Sequence, residues 1–368
     1  MTPNRLEEFF SADFPMARRR FSQAVAARGG RLDRLNIPGR GPCGEELGID
    51  IGWFGAAEPR RVLVHSSGLH GIEGYAGSAI QLQWLAEGLP GLAPDAAIVI
   101  AHLLNPYGYA WLRRVNENNV DLNRNFGAPD TRVNAAAQDY AALDSLLNPQ
   151  SPPASDFFLA RSAWLVMRHG MRRLRQTVIG GQTMNPRGLF YTGLQTEASV
   201  TAYADYLAAN FLHARSIVAI DVHTGFGRYG EDTLMLDAAA DRAELNARMT
   251  AAFGARVQLA DGSNSAYSVE GSHQDLYSRL FPRADVHFAT QEFGTLHALR
   301  VLTALRAENR WHHFGTGDFG HAARRRLLEV FCPADAAWRA KVLSRGSAVI
   351  EQACLLAFSG GEAPAAQV

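Results

Sequence analysis

Four polar side chains follow strand-like apolar runs in the sequence, and their types could hold a metal ion and activate water. The stretch VLVHSSGLHGIEGYAGSAI, residues 62–80, places His70 and Glu73 three residues apart. His223 ends the run IVAIDVH, and Glu292 ends the run VHFATQE. Two imidazoles and a carboxylate are a sufficient protein ligand set for a catalytic zinc, with the fourth position left to water. We therefore predict that the first three residues bind one Zn²⁺ ion and that Glu292 is the general base beside it.

A second polar cluster lies in the stretch NPYGYAWLRRVNENNVDLNRNFG, where Asp121, Asn123 and Arg124 are close together in the chain. An arginine fork binds a carboxylate through two parallel hydrogen bonds, and an asparagine adds a further donor. This pattern predicts a site for a substrate carboxylate. Arg113 or Arg114 could stabilise the oxyanion that forms when water attacks a carbonyl. The alternative interpretation is a solvated, turn-rich loop held by a structural ion pair.

Buried strands alternate with helical patterns along the chain, which indicates an α/β fold. The typical strand runs are RRVLVHSS, AAIVIAHLLN, ARSIVAIDVHTG, ADVHFATQEFG and DTLML, with RLDRLNIPG and EELGIDIGWFG predicted as a hairpin of edge strands. Helical spacing is found at about 4–27, 74–88, 132–147, 155–175, 196–212, 240–254, 296–308 and 335–357. This order predicts a mainly parallel sheet between helices, with its site at the carboxyl ends of the strands.

We expect one domain over residues 1–358, followed by a flexible tail at 359–368, where SGGEAPAAQV is small and polar and contains proline. The stretch LNPQSPPASDF at 147–157 is the best candidate for a surface break. It separates helices rather than two complete sheets, so we predict no domain boundary there.

Composition limits the possible partners and the compartment. The chain has 368 residues, 47% of them hydrophobic, and its 36 basic residues balance its 36 acidic ones, so no net field favours nucleic acid or an anionic membrane. Cys43, Cys332 and Cys354 are widely spaced, which argues against a disulfide framework and a thiolate zinc site. The first twenty residues lack the order of a signal peptide, and no apolar run is long enough to span a bilayer. We expect a cytoplasmic protein.

Several motifs together resemble the zinc carboxypeptidase family, the carboxypeptidase A-like metallopeptidases, and most closely an uncharacterised, mainly bacterial branch of it. They are GLHGIEGYAGS, NPYGYAWLRRVNENNVDLNRNF, IDVHTGFGRYG and TQEFGT, with NPRGLFYTG also typical of that branch. The resemblance spans about residues 60–300. It implies a three-layer α/β/α fold with a mixed, mainly parallel sheet of about eight strands, and a single zinc ion as cofactor.

The resemblance assigns roles around the metal. His70, Glu73 and His223 match the zinc ligands of the family, and Glu292 matches its general acid/base glutamate. Asp121 matches a carboxylate that hydrogen-bonds the far nitrogen of His70 and fixes its tautomer.

The resemblance also assigns residues that would contact the substrate. Asn123 and Arg124 match the pair that binds the terminal carboxylate of the substrate. Arg114 matches the arginine that polarises the scissile carbonyl, with Arg113 as the alternative.

Asp221 lies two residues before His223, the third predicted ligand. It could orient His223 or be an ordinary buried polar contact.

Two features of the family are less well fixed by this sequence. The tyrosine that caps the substrate has its best candidate in Tyr267, with Tyr229 and Tyr277 as competitors. Residues 128–185 match no digestive enzyme and are predicted to be an insertion that lids the site. Among the other histidines, His65 is interpreted as a core or edge histidine, His273 and His287 as satisfied polar groups, and WHHF at 311–314 as an amphipathic helix end.

The resemblance implies a zinc-dependent peptidase of the carboxypeptidase type, which hydrolyses an amide bond next to a free carboxylate. The first alternative is a deacylase of N-acyl amino acids, similar to aspartoacylase and succinylglutamate desuccinylase. The second alternative, of another class, is an inactive protein that binds carboxylate ligands. The expected partner is a peptide or N-acyl amino acid substrate, and neither nucleic acid nor a membrane is expected.

Overall fold

Eight strands form one mixed sheet that is surrounded by helices. The computed structural model describes residues 6–127, 137–150, 156–170, 174, 177–237, 242–260, 271–317 and 319–358. The strands are β1 (Arg31–Arg40), β2 (Glu46–Gly55), β3 (Arg61–Ser67), β4 (Ala96–His102), β5 (Ser216–Tyr229), β6 (Asp232–Asp237), β7 (Val257–Ala260) and β8 (Asp285–Gly294). The helices are α1 (Phe14–Ala27), α2 (Gly74–Glu87), α3 (Pro106–Ala110), α4 (Ala137–Leu147), α5 (Phe158–His169), α6 (Ala198–Asn210), α7 (Ala243–Phe253), α8 (His273–Leu280), α9 (Ala298–Phe314), α10 (Ala322–Phe331) and α11 (Ala336–Phe358).

The centre of the sheet is parallel. The strand order is β1-β2-β4-β3-β5-β8-β6-β7. Strands β4, β3, β5 and β8 pair in parallel, as do β6 and β7, whereas β1 with β2, β2 with β4 and β6 with β8 are antiparallel. Because β3, β5 and β8 are neighbours with the same direction, their carboxyl ends meet at one edge. The predicted mixed, mainly parallel sheet of about eight strands is confirmed.

The central strands are buried along almost their whole length, as expected when helices cover both faces of a parallel sheet. Small residues let the helices approach closely. A Cβ atom on Gly77 of α2 would lie 2.5 Å from the Cβ of Ser67, and one on Gly346 of α11 would lie 2.8 Å from the side chain of Ile80. Helix α2, which follows the turn with the first two predicted ligands, is therefore packed tightly against both β3 and α11.

The structure corrects several element boundaries. The first long helix begins at Phe14 rather than near residue 4, because the Asp13 side chain accepts the Met16 N–H at 2.8 Å and caps it. Strand β2 is not an edge strand, since it pairs with both β1 and β4. Strand β7 and helices α3, α8 and α10 lie outside the predicted ranges; β7 and α3 are short, with four and five residues.

Some predictions concern residues outside the described ranges. The tail at 359–368 lies outside the described residues, as do 128–136, 151–155, 171–173 and 175–176 of the predicted insertion. Helices α4 and α5 lie within that insertion, and its role as a lid stays a prediction. Over the described ranges, no helix has both the length and the apolar character needed to cross a membrane.

Candidate metal centre

The turn after β3 carries the first two predicted ligands. His70 precedes a 3-10 turn at Gly71–Glu73, which leads directly into α2. A Cβ on Gly71 would lie 2.0 Å from the carbonyl carbon of Gly108, so the turn can pass this close to α3 only with glycine. The Gly71 and Ile72 N–H groups donate to the carbonyls of residues 114 and 113 at 3.1 and 2.9 Å. These contacts fix the turn against the arginine-containing loop.

The third predicted ligand arrives from the middle of the sheet. His223 lies in β5 and is the direct pairing partner of Glu292 in β8. Both side chains are buried, with 3% and 7% of their surface exposed. The parallel register of β5 and β8 thus brings together two residues that are far apart in the sequence.

His70, Glu73 and His223 converge on one point. The Nδ1 atoms of the two histidines are 3.1 Å apart, and each lies close to one carboxylate oxygen of Glu73, at 2.9 Å for His70 and 3.0 Å for His223. Within the described part of the chain, these three residues are the one group of His, Cys, Asp or Glu side chains that could hold a metal ion. One potential ligand atom from each of them lies within 4.8 Å of the other two.

In both histidines the second ring nitrogen, Nε2, contacts a carboxylate. His70 Nε2 is 3.0 Å from Asp121 Oδ1, and His223 Nε2 is 2.8 Å from Asp221 Oδ2. An Nε2–H that donates to a carboxylate leaves Nδ1 as the lone-pair donor, which is how metal-binding histidines are usually held. The donor set of two nitrogens and a carboxylate therefore fits a zinc ion. Of the two roles left open for Asp221, the structure supports the orienting one.

The surroundings of Glu73 and Glu292 shift the pKa values of these two carboxyl groups in opposite directions. Burial by itself would raise the pKa of Glu73, but the charges and hydrogen bonds of His70 and His223 hold that pKa well below its usual value. Burial, together with the nearby charge of Glu73, raises the pKa of Glu292 to about 8. Glu292 Oε1 accepts the Phe226 N–H at 2.8 Å, which orients the carboxyl group. A carboxyl with a pKa near neutrality can both take up and release a proton.

The structure distinguishes the two arginines. Arg113 is fully buried and donates to Glu308 Oε1 at 2.9 Å and to the side-chain oxygens of Asn119 and Asn309 at 3.0 and 3.3 Å, away from the ligands. Arg114 is 11% exposed, pairs with Asp121, and its Nη2 lies 2.7 Å from His70 Nε2. Arg114 is thus the arginine that lies beside the candidate metal ligands.

The predicted carboxylate-binding pair lies in the 3-10 turn Leu122–Arg124, directly after Asp121, which contacts the candidate ligand His70. Asn123 Oδ1 accepts the His273 N–H at 3.0 Å. Arg124 is 2% exposed, forms an ion pair with Asp121, and donates through Nε to the Ile179 carbonyl at 2.8 Å. The guanidinium is therefore engaged within the protein.

The tyrosine candidates are separated by position. Tyr267 lies outside the described residues. Tyr277 is fully buried, and its hydroxyl lies 2.7 Å from that of Tyr203. Tyr229 is 41% exposed at the end of β5. Of the two described candidates, Tyr229 is the accessible one.

Sequence reasoning missed three residues that contact the site. Ser66 donates to Asp221 Oδ1 at 2.7 Å, and His273 Nδ1 lies 3.0 Å from Asp221 Oδ2. The ring of Phe190 faces the guanidinium carbons of both Arg114 and Arg124 at 5.2 and 5.3 Å, and its backbone has a φ of 59°. The motif NPRGLFYTG contained this phenylalanine, but nothing in it indicated the arginine contacts.

The other histidines lie elsewhere. His65 is buried in β3 with Nδ1 3.2 Å from Gln81 Nε2, His287 is buried in β8, and the two histidines at 312 and 313 belong to the last turn of α9. None of them belongs to the described group of three converging ligands.

Comparisons with known proteins found one matching family model and several similar solved structures. A family model described as "Protein of unknown function (DUF2817)" matches residues 10–345. No curated protein matches the chain. Similar solved structures include bovine thrombin-activatable fibrinolysis inhibitor in complex with tick carboxypeptidase inhibitor, at 15% identity over 92% of this chain and 99% of that chain, with a TM-score of 0.46. Carboxypeptidase A from Helicoverpa armigera is 13% identical over 92% of this chain and 73% of that chain, with a TM-score of 0.45. A succinylglutamate desuccinylase from Silicibacter is 15% identical over 78% and 67%, with a TM-score of 0.40.

Proposed function

The chain belongs to the family described as "Protein of unknown function (DUF2817)", and we propose that it is a zinc-dependent hydrolase that cleaves an amide bond next to a free carboxylate. The observation that carries this proposal is the convergence of His70 Nδ1, His223 Nδ1 and the Glu73 carboxylate, with Glu292 beside them. His70, Glu73 and His223 would hold the ion. A bound zinc ion would supply a Lewis acid that polarises a carbonyl and lowers the pKa of water.

Glu292 performs the proton transfers in this proposal. Its carboxylate takes the proton of the attacking water and then delivers it to the nitrogen of the leaving amine. The Phe226 N–H holds Oε1, so Oε2 is the oxygen that accepts and returns the proton. Burial raises the pKa of Glu292, which makes its carboxylate a stronger proton acceptor than an exposed carboxylate.

Arg114 and the 3-10 turn provide the substrate contacts. Arg114 is beside His70 and is partly exposed, so its guanidinium can turn toward the carbonyl oxygen and stabilise the negative charge that develops there. Asn123 is held through its Oδ1, so its amide N–H₂ can donate to the substrate carboxylate. Arg124 joins Asn123 by exchanging its bond to the Ile179 carbonyl for the carboxylate, which is the stronger acceptor.

The test combines metal analysis with a mass-spectrometric screen of C-terminal peptides and N-acyl amino acids. Glu292→Gln keeps an oxygen for the Phe226 N–H but cannot take up a proton, so it should retain one zinc per chain and lose about 10²–10⁴-fold in turnover. Glu231→Gln, which changes a partly exposed carboxylate paired with Arg345, is the matched control and should retain full turnover.

Each result of the screen has a clear consequence. Full activity of Glu292→Gln would refute the role of the general base. Hydrolysis of N-acyl amino acids but not of peptides would identify the protein as a deacylase. Stoichiometric zinc without any hydrolysis across both pools would identify a carboxylate-binding protein instead.

A further inference from the structure

His273, which no motif predicted, touches two parts of the site at once. It is the first residue of α8, and the preceding Ser272 forms a capping box with Asp275. The first N–H groups of a helix have no partner within the helix. The His273 N–H instead donates to Asn123 Oδ1 at 3.0 Å. The start of α8 thereby holds the side chain that we assign to the substrate carboxylate.

The side chain of His273 reaches the metal centre through one carboxylate. Its Nδ1 lies 3.0 Å from Asp221 Oδ2, the same oxygen that lies 2.8 Å from Nε2 of the ligand His223. The other oxygen, Oδ1, accepts the Ser66 hydroxyl at 2.7 Å. Three donors therefore fix Asp221, which in turn fixes the ring of His223.

The surroundings of His273 would suit an apolar side chain better. The imidazole is 1% exposed and stacks on Phe126 at a centroid distance of 4.9 Å, with the rings of Tyr203 and Phe288 at 5.5 and 5.2 Å. Among the described residues, Nε2 has no hydrogen-bond partner. A buried nitrogen without a partner is unfavourable, so packing alone does not explain an imidazole at this position.

The backbone beside His273 is docked against the same turn. Gly271 has a φ of 72°, and its carbonyl accepts the Phe126 N–H at 2.9 Å. A Cβ at this glycine would lie 2.9 Å from the Arg124 carbonyl oxygen. The start of α8 and the turn at residues 122–124 therefore form one packed unit.

We propose that His273 is a positioning residue that holds the metal ligand His223 through Asp221 and the substrate-binding Asn123 through its own N–H. The inference rests on the proposed function, because it takes His223 as a metal ligand. Loss of a hydrogen-bond partner behind a metal-binding histidine typically weakens metal affinity by about 10–100-fold. His273 should therefore affect zinc affinity although it does not itself contact the ion.

The experiment measures zinc affinity of the full chain by competition with a chromogenic chelator, after removal of all metal. His273→Phe keeps a ring in the aromatic surroundings but removes the bond to Asp221, and because Asp221 keeps its bonds to His223 and Ser66 we expect zinc affinity to fall by about 10-fold, the lower end of that range. His273→Asn can place Nδ2 where Nδ1 was, so it should bind zinc nearly as tightly as the parent. Tyr203→Phe removes only a hydroxyl that is bonded to Tyr277, so it is the packing control and should not change zinc affinity.

A second readout uses any substrate found in the screen. The His273 N–H is present in every variant, so Asn123 stays in place and KM should not change, whereas turnover at limiting zinc should fall for His273→Phe. Equal zinc affinity of His273→Phe and the parent would overturn this inference alone. An equal loss in Tyr203→Phe would also overturn it, because packing would then be the cause. A parent protein that binds no zinc would refute the proposed function itself.

Discussion

Adjacent arginines at 113 and 114 should respond to mutation in different ways, and this contrast tests the interpretation of the site. Arg113→Leu removes the ion-pair partner of Glu308 and leaves that carboxylate, 4% exposed, in a buried environment. Breaking a buried ion pair in this way typically destabilises a protein by about 3–5 kcal/mol. Asp121, the partner of Arg114, keeps its ion pair with Arg124, so Arg114→Leu should destabilise the fold far less but abolish turnover.

The expected change in melting temperature follows from chain length. An unfolding entropy of about 2.1 cal/mol/K per residue over 368 residues gives about 0.8 kcal/mol/K, so each kcal/mol lowers Tm by about 1.3 °C. Arg113→Leu should therefore lower Tm by about 4–7 °C. Differential scanning calorimetry and urea unfolding of both variants and the parent measure this effect.

A double variant separates the ion pair from the loss of side-chain volume. Replacing both charges by apolar residues, as in Arg113→Leu with Glu308→Leu, leaves no unpaired charge and should be less destabilising than the sum of the single changes. Zinc binding should persist in Arg113→Leu, because Arg113 contributes only its backbone carbonyl to the turn that carries the ligands. Unchanged stability of Arg113→Leu, or strict additivity in the double variant, would refute the reasoning.

Three further predictions concern the turn, the core and the metal. Gly71→Ala should abolish zinc binding, because its Cβ would lie 2.0 Å from the Gly108 backbone, whereas Gly91→Ala, with no atom within 4 Å, should bind zinc normally in the same competition assay. Burial lowers the pKa of His102 to about 3, far below the ordinary value of about 6.5. As pH falls below about 6.5, His102 is therefore protonated in the unfolded protein but stays neutral in the folded protein. The free energy of unfolding falls with pH for this reason. At pH 5 this contribution is about 2 kcal/mol, and His102→Gln should show that much less loss between pH 7.5 and pH 5 in urea unfolding. Removal of metal by a chelator should lower Tm by about 5 °C if zinc had been present at about 1,000 times its Kd, and added zinc should restore it.

Opposite results are equally clear in these three cases. Normal zinc affinity of Gly71→Ala would show that the turn can move without harm. Parallel pH profiles for the parent and His102→Gln would show that the histidine is not held neutral. A melting temperature that chelator leaves unchanged would contradict a bound metal ion.

Much of the fold was predictable because its signals are local. Strands β3, β4 and β5 contain the continuous apolar runs VLV, AAIVIA and IVAI, which are typical of buried strands in a parallel sheet. Strand β7 has four residues, too few for a periodic pattern to stand out. The position of β2 inside the sheet depends on its pairing with β4, which is a contact between distant segments.

The sequence by itself determined which residue types could form a metal centre and which strand ends would carry them. His70, Glu73, His223 and Glu292 are polar residues at the ends of strand-like runs, and their combination, rather than any one of them alone, indicated a metal centre. Their convergence was expected from parallel strand order, and the structure places them together.

Only the tertiary structure decided which neighbours support the site. Arg113 and Arg114 have the same chemistry, and the direction of each side chain after the turn depends on partners that are distant in sequence, such as Glu308 and Asp121. His273 shows no motif, and its connection to Asp221 exists because α8 packs against the turn at residues 122–124. Chemical type is a local property of the chain, whereas side-chain direction and partnership are set by packing between distant segments.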